Sequence, residues 1–556
     1  MLEGPIFTAP LNSGISGDDP LGTAPVNERL YNAVFPGINN FVRYVRVYSA
    51  MCWVVYQVEK YLESKGAKLT KAEATQLARN AYEKVQLVLI WVNKHKNYMN
   101  LAGSQRIFPQ GNVKVELVFD HFANSTVSLF DAGTYGPSLT NGLGFLERRS
   151  NGTLGCTEAG KGLAMAFDEH ARSFAKYKWL ADVTRLTTTR NEVFQLEELF
   201  DLGGATSAEQ QAFLGKFFPA GAMPVEQFDR YRWFAIHLVL RALDAASKST
   251  VGKARNGFVD EQTVRIAMAT ARAPGGEPFS IKGVETLQSW WMVLQLRQLH
   301  RLAIDTLFTV VETWLAEERD PDNNNSIDEI VEIIGRSCEP ELEKPFLAKV
   351  SKLHAHFRKI QGDEPTLYAT ASVHQEVEEA DAFGRINDLL ACSYEFSEEG
   401  GNAAVGLAYK ALVFCALEAS NLLGNPLCER TLRTADTDMT SMIAMTHAVK
   451  KFAELSPATF MGYIVKNWVI LRHFQIASSR AQTTGDGKNR FRFVIGDRGL
   501  ERYSPAIAIN SPSFAQDKLE HILFLCWQSG LLEERQEGKE HWYRLSGAGR
   551  ARVKEL

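Results

Sequence analysis

Long apolar runs are missing from this chain of 556 residues, so its sequence predicts no membrane-spanning helix and no contact with a membrane. The first residues lack the basic and apolar regions of a secretory signal peptide, and we therefore expect a cytoplasmic location. The seven cysteines form no Cys-x-x-Cys pair, which indicates isolated thiols instead of disulfides or zinc ligands. The formal net charge is −4, so any contact with nucleic acid must use a local basic patch.

Short catalytic motifs are missing as well. No Gly-x-Ser-x-Gly occurs, and Gly485-Asp486-Gly487-Lys488 has neither the spacing nor the hydroxyl residue of a phosphate-binding loop. The stretch 320–328 resembles the start of a calcium-binding EF-hand loop, but Val331 stands where that loop needs a glutamate. The sequence therefore predicts no catalytic residue, no metal site and no cofactor.

One short pattern is present twice. A glycine is followed by an apolar-Leu-Glu strand, a glycine-containing turn, and a serine or threonine that opens a glycine-containing helix. The copies begin at Gly144-Phe145-Leu146-Glu147 and at Gly530-Leu531-Leu532-Glu533. A helix ending in glycine, a strand hairpin and a capped helix form the outline of a winged helix, a module that contacts DNA or another protein.

Basic residues lie at the hairpin of each copy: Arg148 and Arg149 in the first, Arg535 and Lys539 in the second. They are candidates for nucleic-acid binding through phosphates. The helix predicted before the second hairpin, 516–529, is apolar on most faces, which is a poor surface for reading DNA. Both copies are therefore open to two interpretations, as DNA-contacting modules or as packing and dimerisation modules.

A basic segment covers residues 466–503, where eight cations stand against three anions and aromatic residues are interleaved. Such a composition suits phosphate contacts and base stacking. The alternation over 490–495 predicts a strand with its arginines exposed on one face and its aromatics buried on the other. An edge strand with merely solvated arginines is the alternative. The candidate nucleic-acid-binding residues here are Arg472, Arg480, Lys488, Arg490, Arg492 and Arg498.

The fold class expected from these patterns is mainly α, with helical bundle or hairpin domains and two small winged-helix-like α+β modules. Helical periodicity and the loops between periodic stretches also predict a linear series of domains. These are an extended N-terminal arm (1–28), a helical hairpin with the first winged-helix-like module (29–170), a helical domain (171–272), a helical domain with a long spine helix (284–480), and the basic strand segment with the C-terminal winged-helix-like module (481–556).

Two short stretches resemble a group of uncharacterised bacterial proteins that are encoded among phage-defence and mobile-element genes. The first is Asn32-Ala33-Val34-Phe35-Pro36-Gly37-Ile38, which leads into an aromatic helix, and the second is Arg490-Phe491-Arg492-Phe493. The resemblance implies a defence or accessory role and assigns no catalytic residue.

The function we expect is that of a non-enzymatic, nucleic-acid-associated subunit of a bacterial multi-protein complex, acting in defence against phage or plasmids. Its expected partners are nucleic acid, DNA in preference to RNA, and a protein that carries the catalytic activity, such as an ATPase or a nuclease. Homodimerisation is left open. A metal-dependent nuclease with dispersed active-site residues and a dimeric winged-helix transcription regulator are the alternatives.

Overall fold

Helices form most of this protein in its computed structural model, and all the strands are short and pair antiparallel. The structure describes residues 19–65, 69–96, 98, 101, 103–118, 122, 128–221, 223–249, 256–316, 325–342, 384–423, 425–435, 440–451, 455–484 and 489–555. Among these residues, none of the helices has the length and apolarity needed to cross a membrane.

Twenty α-helices and nine strands are described. The helices before residue 280 are α1 (Ala24–Val34), α2 (Val45–Lys65), α3 (Lys71–Asn93), α4 (Glu158–Ala171), α5 (Tyr177–Ala181), α6 (Arg190–Phe194), α7 (Glu197–Phe200), α8 (Ser207–Phe217), α9 (Gln227–Lys248) and α10 (Glu261–Thr270). Those after it are α11 (Glu285–Ala316), α12 (Ile327–Arg336), α13 (Gly384–Ala391), α14 (Ala403–Leu422), α15 (Pro426–Ala435), α16 (Met442–Lys451), α17 (Pro457–Ile464), α18 (Leu471–Thr484), α19 (Leu519–Gln528) and α20 (Gly547–Val553). The strands are β1 (Lys114–Glu116), β2 (Leu146–Arg148), β3 (Leu154–Cys156), β4 (Thr187–Thr189), β5 (Val259–Asp260), β6 (Phe493–Gly496), β7 (Gly499–Arg502), β8 (Leu532–Glu537) and β9 (Glu540–Leu545).

The chain divides into two compact units. Unit 1 consists of Met1–Leu30 with Ser289–Ala515, and unit 2 of Tyr31–Gln288 with Gln516–Leu556. The segment predicted as one C-terminal domain, 481–556, is thus divided at Ala515. This division differs from the predicted linear series of domains, because each unit is built from two separated stretches of the chain.

In unit 2, α2 packs against α3, α4 and α8, and these four helices enclose a core rich in aromatic rings. Tyr48 of α2 contacts Tyr135, Phe145 and Phe213 at centroid distances of 5.2, 5.9 and 5.1 Å. The sequence Thr70-Lys71-Ala72-Glu73 predicts a capping box that opens a helix, and in the structure Thr70 and Glu73 form it at the start of α3. The mainly helical class and this helix boundary are therefore confirmed.

The largest sheet of unit 2 has the strand order β5-β9-β8. Its two outer strands come from opposite sides of a long interval in the sequence: β5 pairs with β9 through Val259 and Tyr543, and β8 pairs with β9 along its whole length. Helix α9 packs against β9 and α20, and α10 packs against α19. Residues 227–270 and 516–556 therefore form one folded part.

In unit 1, α12 packs against α17, and α14 packs against α13 and α16. The strand predicted over 490–495 is observed as β6, which starts three residues later, and it pairs with β7. The sequence periodicity also predicts helices over 341–361, 427–455 and 459–480. The first lies almost wholly outside the described residues, and the second is described as two helices, α15 and α16. The third is interrupted by a π-helical segment, Val465–Ile470, between α17 and α18.

The two copies of the repeated pattern share the same closure, in which a hydroxyl joins the hairpin to the next helix. In the first copy, the Thr157 hydroxyl donates to the carbonyls of Gly144 and Phe145, at 2.8 and 3.0 Å. In the second, the Ser546 hydroxyl donates to the carbonyls of Gly530 and Leu531, at 2.7 and 2.9 Å. Each hydroxyl also caps the helix that it opens. The predicted order of hairpin and capped helix is confirmed.

A glycine in each of these helices is required by this closure. A Cβ on Gly160 would lie 2.0 Å from the Phe145 carbonyl oxygen, and one on Gly549 would lie 2.2 Å from that of Leu531. These are backbone atoms, so the helix itself would have to move away from the hairpin. The glycines of the repeat therefore set how closely helix and hairpin approach.

We expect Gly160→Ala and Gly549→Ala each to destabilise the protein by about 1–3 kcal/mol, because the added methyl group overpacks a backbone contact. The measurement is urea denaturation of the full chain followed by circular dichroism. Gly162 of α4 and Gly547 of α20 are matched controls, since a Cβ at either meets no atom within 4 Å. Alanine at a control position should be neutral or slightly stabilising in a helix. Equal effects at paired positions would contradict the proposed role of the close approach.

Candidate nucleic-acid interface

Two arginines of the basic segment bind backbone carbonyls of the segment at Asp19–Leu21, within unit 1. Arg472 Nε donates to the Leu21 carbonyl at 3.1 Å, and Arg480 donates to the Asp19 carbonyl at 2.7 Å. Arg480 also pairs with the Asp19 carboxylate at 3.3 Å. These two side chains thus bind a distant stretch of the same chain, so part of their hydrogen-bonding capacity is already used within the protein.

Arg492 is the clearest departure from the sequence-based expectation. Its guanidinium forms a two-pronged ion pair with Glu312 of α11, with Nε–Oε1 at 2.6 Å and Nη2–Oε2 at 3.1 Å. The two side chains are only 10% and 1% exposed. The Glu312 carboxylate accepts a further bond from the Asn510 backbone N–H at 2.7 Å. The prediction that Arg492 lies on an exposed face is wrong, because a buried carboxylate far along the chain draws it inward.

His473 connects these two parts of the basic segment. Its Nδ1 lies 3.2 Å from the Pro20 carbonyl, and its Nε2 accepts the backbone N–H of Arg492 at 3.0 Å. These partners require the neutral ring with its proton on Nδ1. Burial is the main cause that lowers the pKa of His473 to about 4; the charges of Arg492 and Arg480 act in the same direction, and the bond to the Pro20 carbonyl opposes them. The ring is therefore a structural link that stays neutral at physiological pH.

The remaining cations of the segment do not assemble into a patch with these. Arg490 is half-buried, and Arg498 has an exposed side chain at the turn between β6 and β7. Lys488 lies outside the described residues. Among the described cations of the segment, Lys466, Arg480 and Arg492 are in ion pairs and Arg498 is exposed at this turn, so the positive charge is not gathered on one strand face.

Of the two candidate cations at each hairpin of the repeat, one is in an ion pair and the other is exposed. Arg148 and Lys539 are exposed. Arg149 is bound to Glu59 at 2.9 Å, and Glu147 also pairs with it. Arg535 pairs with Glu537 at 2.8 Å. Surface ion pairs of this kind reduce the charge that a hairpin can offer to phosphates, so neither hairpin is strongly basic by itself.

Helix α19, which precedes the second hairpin, is covered on nearly all sides by unit 2. Glu520 pairs with Arg43 at 2.8 Å, and the His521 ring lies 3.1 Å from the Val42 carbonyl. Phe524 packs edge-on against Tyr44 at 5.3 Å. A helix held in this way has no free face to insert into the major groove of DNA.

An open cleft of about 610 Å³ lies beside the second hairpin, between the end of α9, the loop at Asn256-Gly257, β9 and α20. Its lining contains four cations, Lys248, Arg544, Arg550 and Lys554, and one carboxylate, Asp244. Lys248 pairs with Asp244, and Arg544 pairs with Glu533. Within the described residues, Arg550 and Lys554 have no ion-pair partner, and both are exposed. We call this region the α20 cleft.

One local feature of the sequence indicates the α20 cleft, although it belongs to none of the motifs considered above. Arg550 lies in the short helix opened by Ser546, and Lys554, four residues later, is the residue that caps its end, so the spacing places both on the same side of the helix. Lys248 could not be assigned to the same surface, because α9 is separated from α20 by about half of the chain. The part of the chain that the structure describes contains no cluster of histidine, cysteine and acidic side chains suited to a metal ion.

No protein-family model, no curated protein and no solved structure matches this chain.

We expect Arg492→Ala to destabilise the protein by about 3–5 kcal/mol, because it leaves the buried Glu312 carboxylate without its partner. Arg498→Ala is the control, since that exposed side chain should contribute within about 0.5 kcal/mol. The double variant Arg492→Met with Glu312→Gln should recover part of the loss by removing the buried charge. Urea denaturation measures all three, and similar stabilities for the two single variants would show that Arg492 is not the buried partner described.

The pH dependence of stability tests His473. Because the folded pKa of about 4 lies below the ordinary value of 6.5, the unfolded chain binds the proton first as the pH falls. The neutral His473 ring therefore contributes fully to the free energy of unfolding above pH 6.5, and this contribution is lost progressively between pH 6.5 and 4. We expect His473→Gln to remove about 2 kcal/mol of the stability difference between pH 7 and pH 5. Other buried histidines are unchanged in both proteins, so an identical pH profile would contradict the assignment.

Proposed function

We propose that unit 2 carries two winged-helix modules, and that the second is assembled from two distant stretches of sequence. The support for the second module is its order of elements: α9, β5 and α10 come before the long interval in the chain, and α19, β8 and β9 come after it. With β9 in the centre of the sheet, the first and second strands flank the third, as in winged helices. The β8-β9 hairpin would be the wing.

The support for the first module is the shared closure. Helices α2 and α3, the π-helical turn Ser138–Gly142 and the β2-β3 hairpin occur in the corresponding order, followed by α4. Its sheet has two strands where the second module has three. Helix α4 packs against α2 in the way that α20 packs against α9. The same design is thus used twice, with α4 and α20 as the closing helices.

The proposed modules contribute to assembly and to phosphate contact, not to reading of a DNA sequence. Helix α19 stands where a winged helix has its groove-reading helix, and its burial favours a packing role. The exposed cations lie instead on the closing helix of this module, in the α20 cleft. A surface of this kind attracts the backbone of nucleic acid, which is the same for every sequence.

The function that we propose is a nucleic-acid-associated subunit without catalytic activity of its own. The observation that carries this proposal is the α20 cleft, where Arg550 and Lys554 are exposed and have no carboxylate partner among the residues that the structure describes. Duplex DNA is the proposed ligand in preference to RNA. The catalytic activity would come from a partner such as an ATPase or a nuclease, in a bacterial defence complex; only the resemblance of the stretches at 32–38 and 490–493 supports that setting.

Fluorescence anisotropy with a labelled 30-base-pair duplex tests the proposal. We expect affinity to fall steeply as salt rises, because cations that bind phosphates release counterions from the DNA. Arg550→Gln with Lys554→Gln should weaken binding equally for unrelated sequences and reduce the slope of log affinity against log salt by about 2.

Arg336→Gln with Arg433→Gln is the matched control, since it removes the same charge from side chains that are 71% and 42% exposed on other helices. Equal effects of the two double variants would overturn the assignment to the α20 cleft. Cleavage of plasmid DNA by the pure chain with Mg²⁺ or Mn²⁺ would overturn the non-enzymatic part. Selective protection of one palindromic sequence would support a transcription regulator instead.

A further inference from the structure

A second and larger cleft lies elsewhere in unit 2, on one face of the β1-β4 ribbon. Its volume is about 990 Å³, and its walls are the ribbon, α5 and the start of α6. The register pairs Lys114 with Thr189 and Glu116 with Thr187. Because alternate residues of a strand share a face, these four side chains project from the same side of the ribbon. We call this region the ribbon cleft.

The lining of the ribbon cleft is polar and positively charged. It contains four cations, Lys114, Lys176, Lys178 and Arg185, and two carboxylates, Glu116 and Glu192. Glu192 is already satisfied, since Lys176 pairs with its Oε1 at 2.5 Å and the Thr189 backbone N–H binds its Oε2 at 3.1 Å.

Three cations are left facing one carboxylate. The side chains of Lys114, Lys178 and Arg185 are exposed, and none has an ion-pair partner among the residues that the structure describes. Hydroxyl and amide groups supply most of the other lining, including Thr184, Thr187 and Asn191. Such a surface can donate several hydrogen bonds to an anion but offers little to an apolar ligand.

Hydrogen bonds within the protein join the walls of the cleft. The Lys84 amine donates to the carbonyls of Trp179, Leu180 and Asp182, at 2.6, 3.2 and 2.9 Å, and so fixes the end of α5. Trp179 Nε1 donates to the Thr187 carbonyl at 3.0 Å, which joins α5 to β4. The cleft is therefore formed without a ligand, as is usual for small-molecule sites.

We infer that the ribbon cleft binds a phosphate ester of nucleotide size. The unpaired cations provide the charge for the phosphate, the hydroxyls and amides suit a sugar and a base, and the volume is within the range of ligand sites. The same chemistry could come from a free nucleotide or from a 5′-phosphorylated end of a nucleic acid. This inference does not rest on the proposed function, because the α20 cleft consists of other residues.

Isothermal titration calorimetry of the full chain tests the inference with AMP and GMP as probes and adenosine as the control without a phosphate. We expect binding of a nucleotide and none of adenosine at the same concentration. Lys178→Gln with Arg185→Gln should weaken nucleotide binding about tenfold or more, since two contacts to phosphate are lost. Thr187→Trp should weaken binding, because its larger side chain projects from the ribbon into the cleft and obstructs it while every charge is kept.

Arg550→Gln with Lys554→Gln is the matched control and should leave nucleotide binding unchanged, even if it abolishes DNA binding. Tighter binding of a 5′-phosphorylated dinucleotide than of its unphosphorylated form would support the inference and identify a nucleic-acid end as the source. The absence of binding of AMP, GMP and the phosphorylated dinucleotide at 5 mM (roughly the weakest affinity worth assigning to a site) would overturn it. Nucleotide affinity that is unchanged both by Thr187→Trp and by Lys178→Gln with Arg185→Gln would overturn it too, because the ligand would then occupy another place.

Discussion

Each unit depends on buried guanidinium groups whose ion-pair partners lie in distant parts of the same chain. Arg46 of α2 donates to the carbonyls of Leu199 and Gly204 and pairs with Glu209 at 3.2 Å, with both charged side chains fully buried. Burial lowers the pKa of Arg46, and the charge of Glu209 opposes that effect. Removal of one partner of a buried ion pair strongly destabilises the folded protein, because the other charge is left buried and uncompensated. The chain is thus constrained to bring these distant groups together.

The same constraint explains why sequence patterns misplaced the positive charge. Arginines with alternating aromatic neighbours are typical of an exposed strand face, but Arg492 meets a carboxylate 180 residues away along the chain. Likewise, Arg265 pairs with Asp517 at 2.7 Å across a separation of 252 residues. In both cases the cation fixes the fold of its unit. The cations that are left for a ligand are those without such a partner, and they occur on short elements that have no conspicuous composition.

The parts of the fold that could be predicted from the sequence are those whose determinants are neighbours in it. The capping box of Thr70 and Glu73 spans four residues, and the closures at Thr157 and Ser546 repeat a local pattern. Strand β5, with two residues, has no periodicity to detect, and its pairing partner Tyr543 lies in another part of the chain. For the same reason neither cleft could be predicted, since each is formed by residues from several elements. Only the spacing of Arg550 and Lys554, four residues apart, is visible locally in the sequence.

The central position of β9 has a consequence for synthesis on the ribosome. The residues of unit 1 from Ser289 to Ala515 emerge after β5 and before β9, so the sheet of unit 2 cannot be completed until translation is nearly finished. Throughout that time the edge of β5 and the apolar surfaces of α9 and α10 have no partner from the C-terminal stretch. Late, non-local pairing of this kind is slow and exposes surfaces that aggregate. Folding of unit 2 is therefore expected to depend on the last forty or so residues of the sequence.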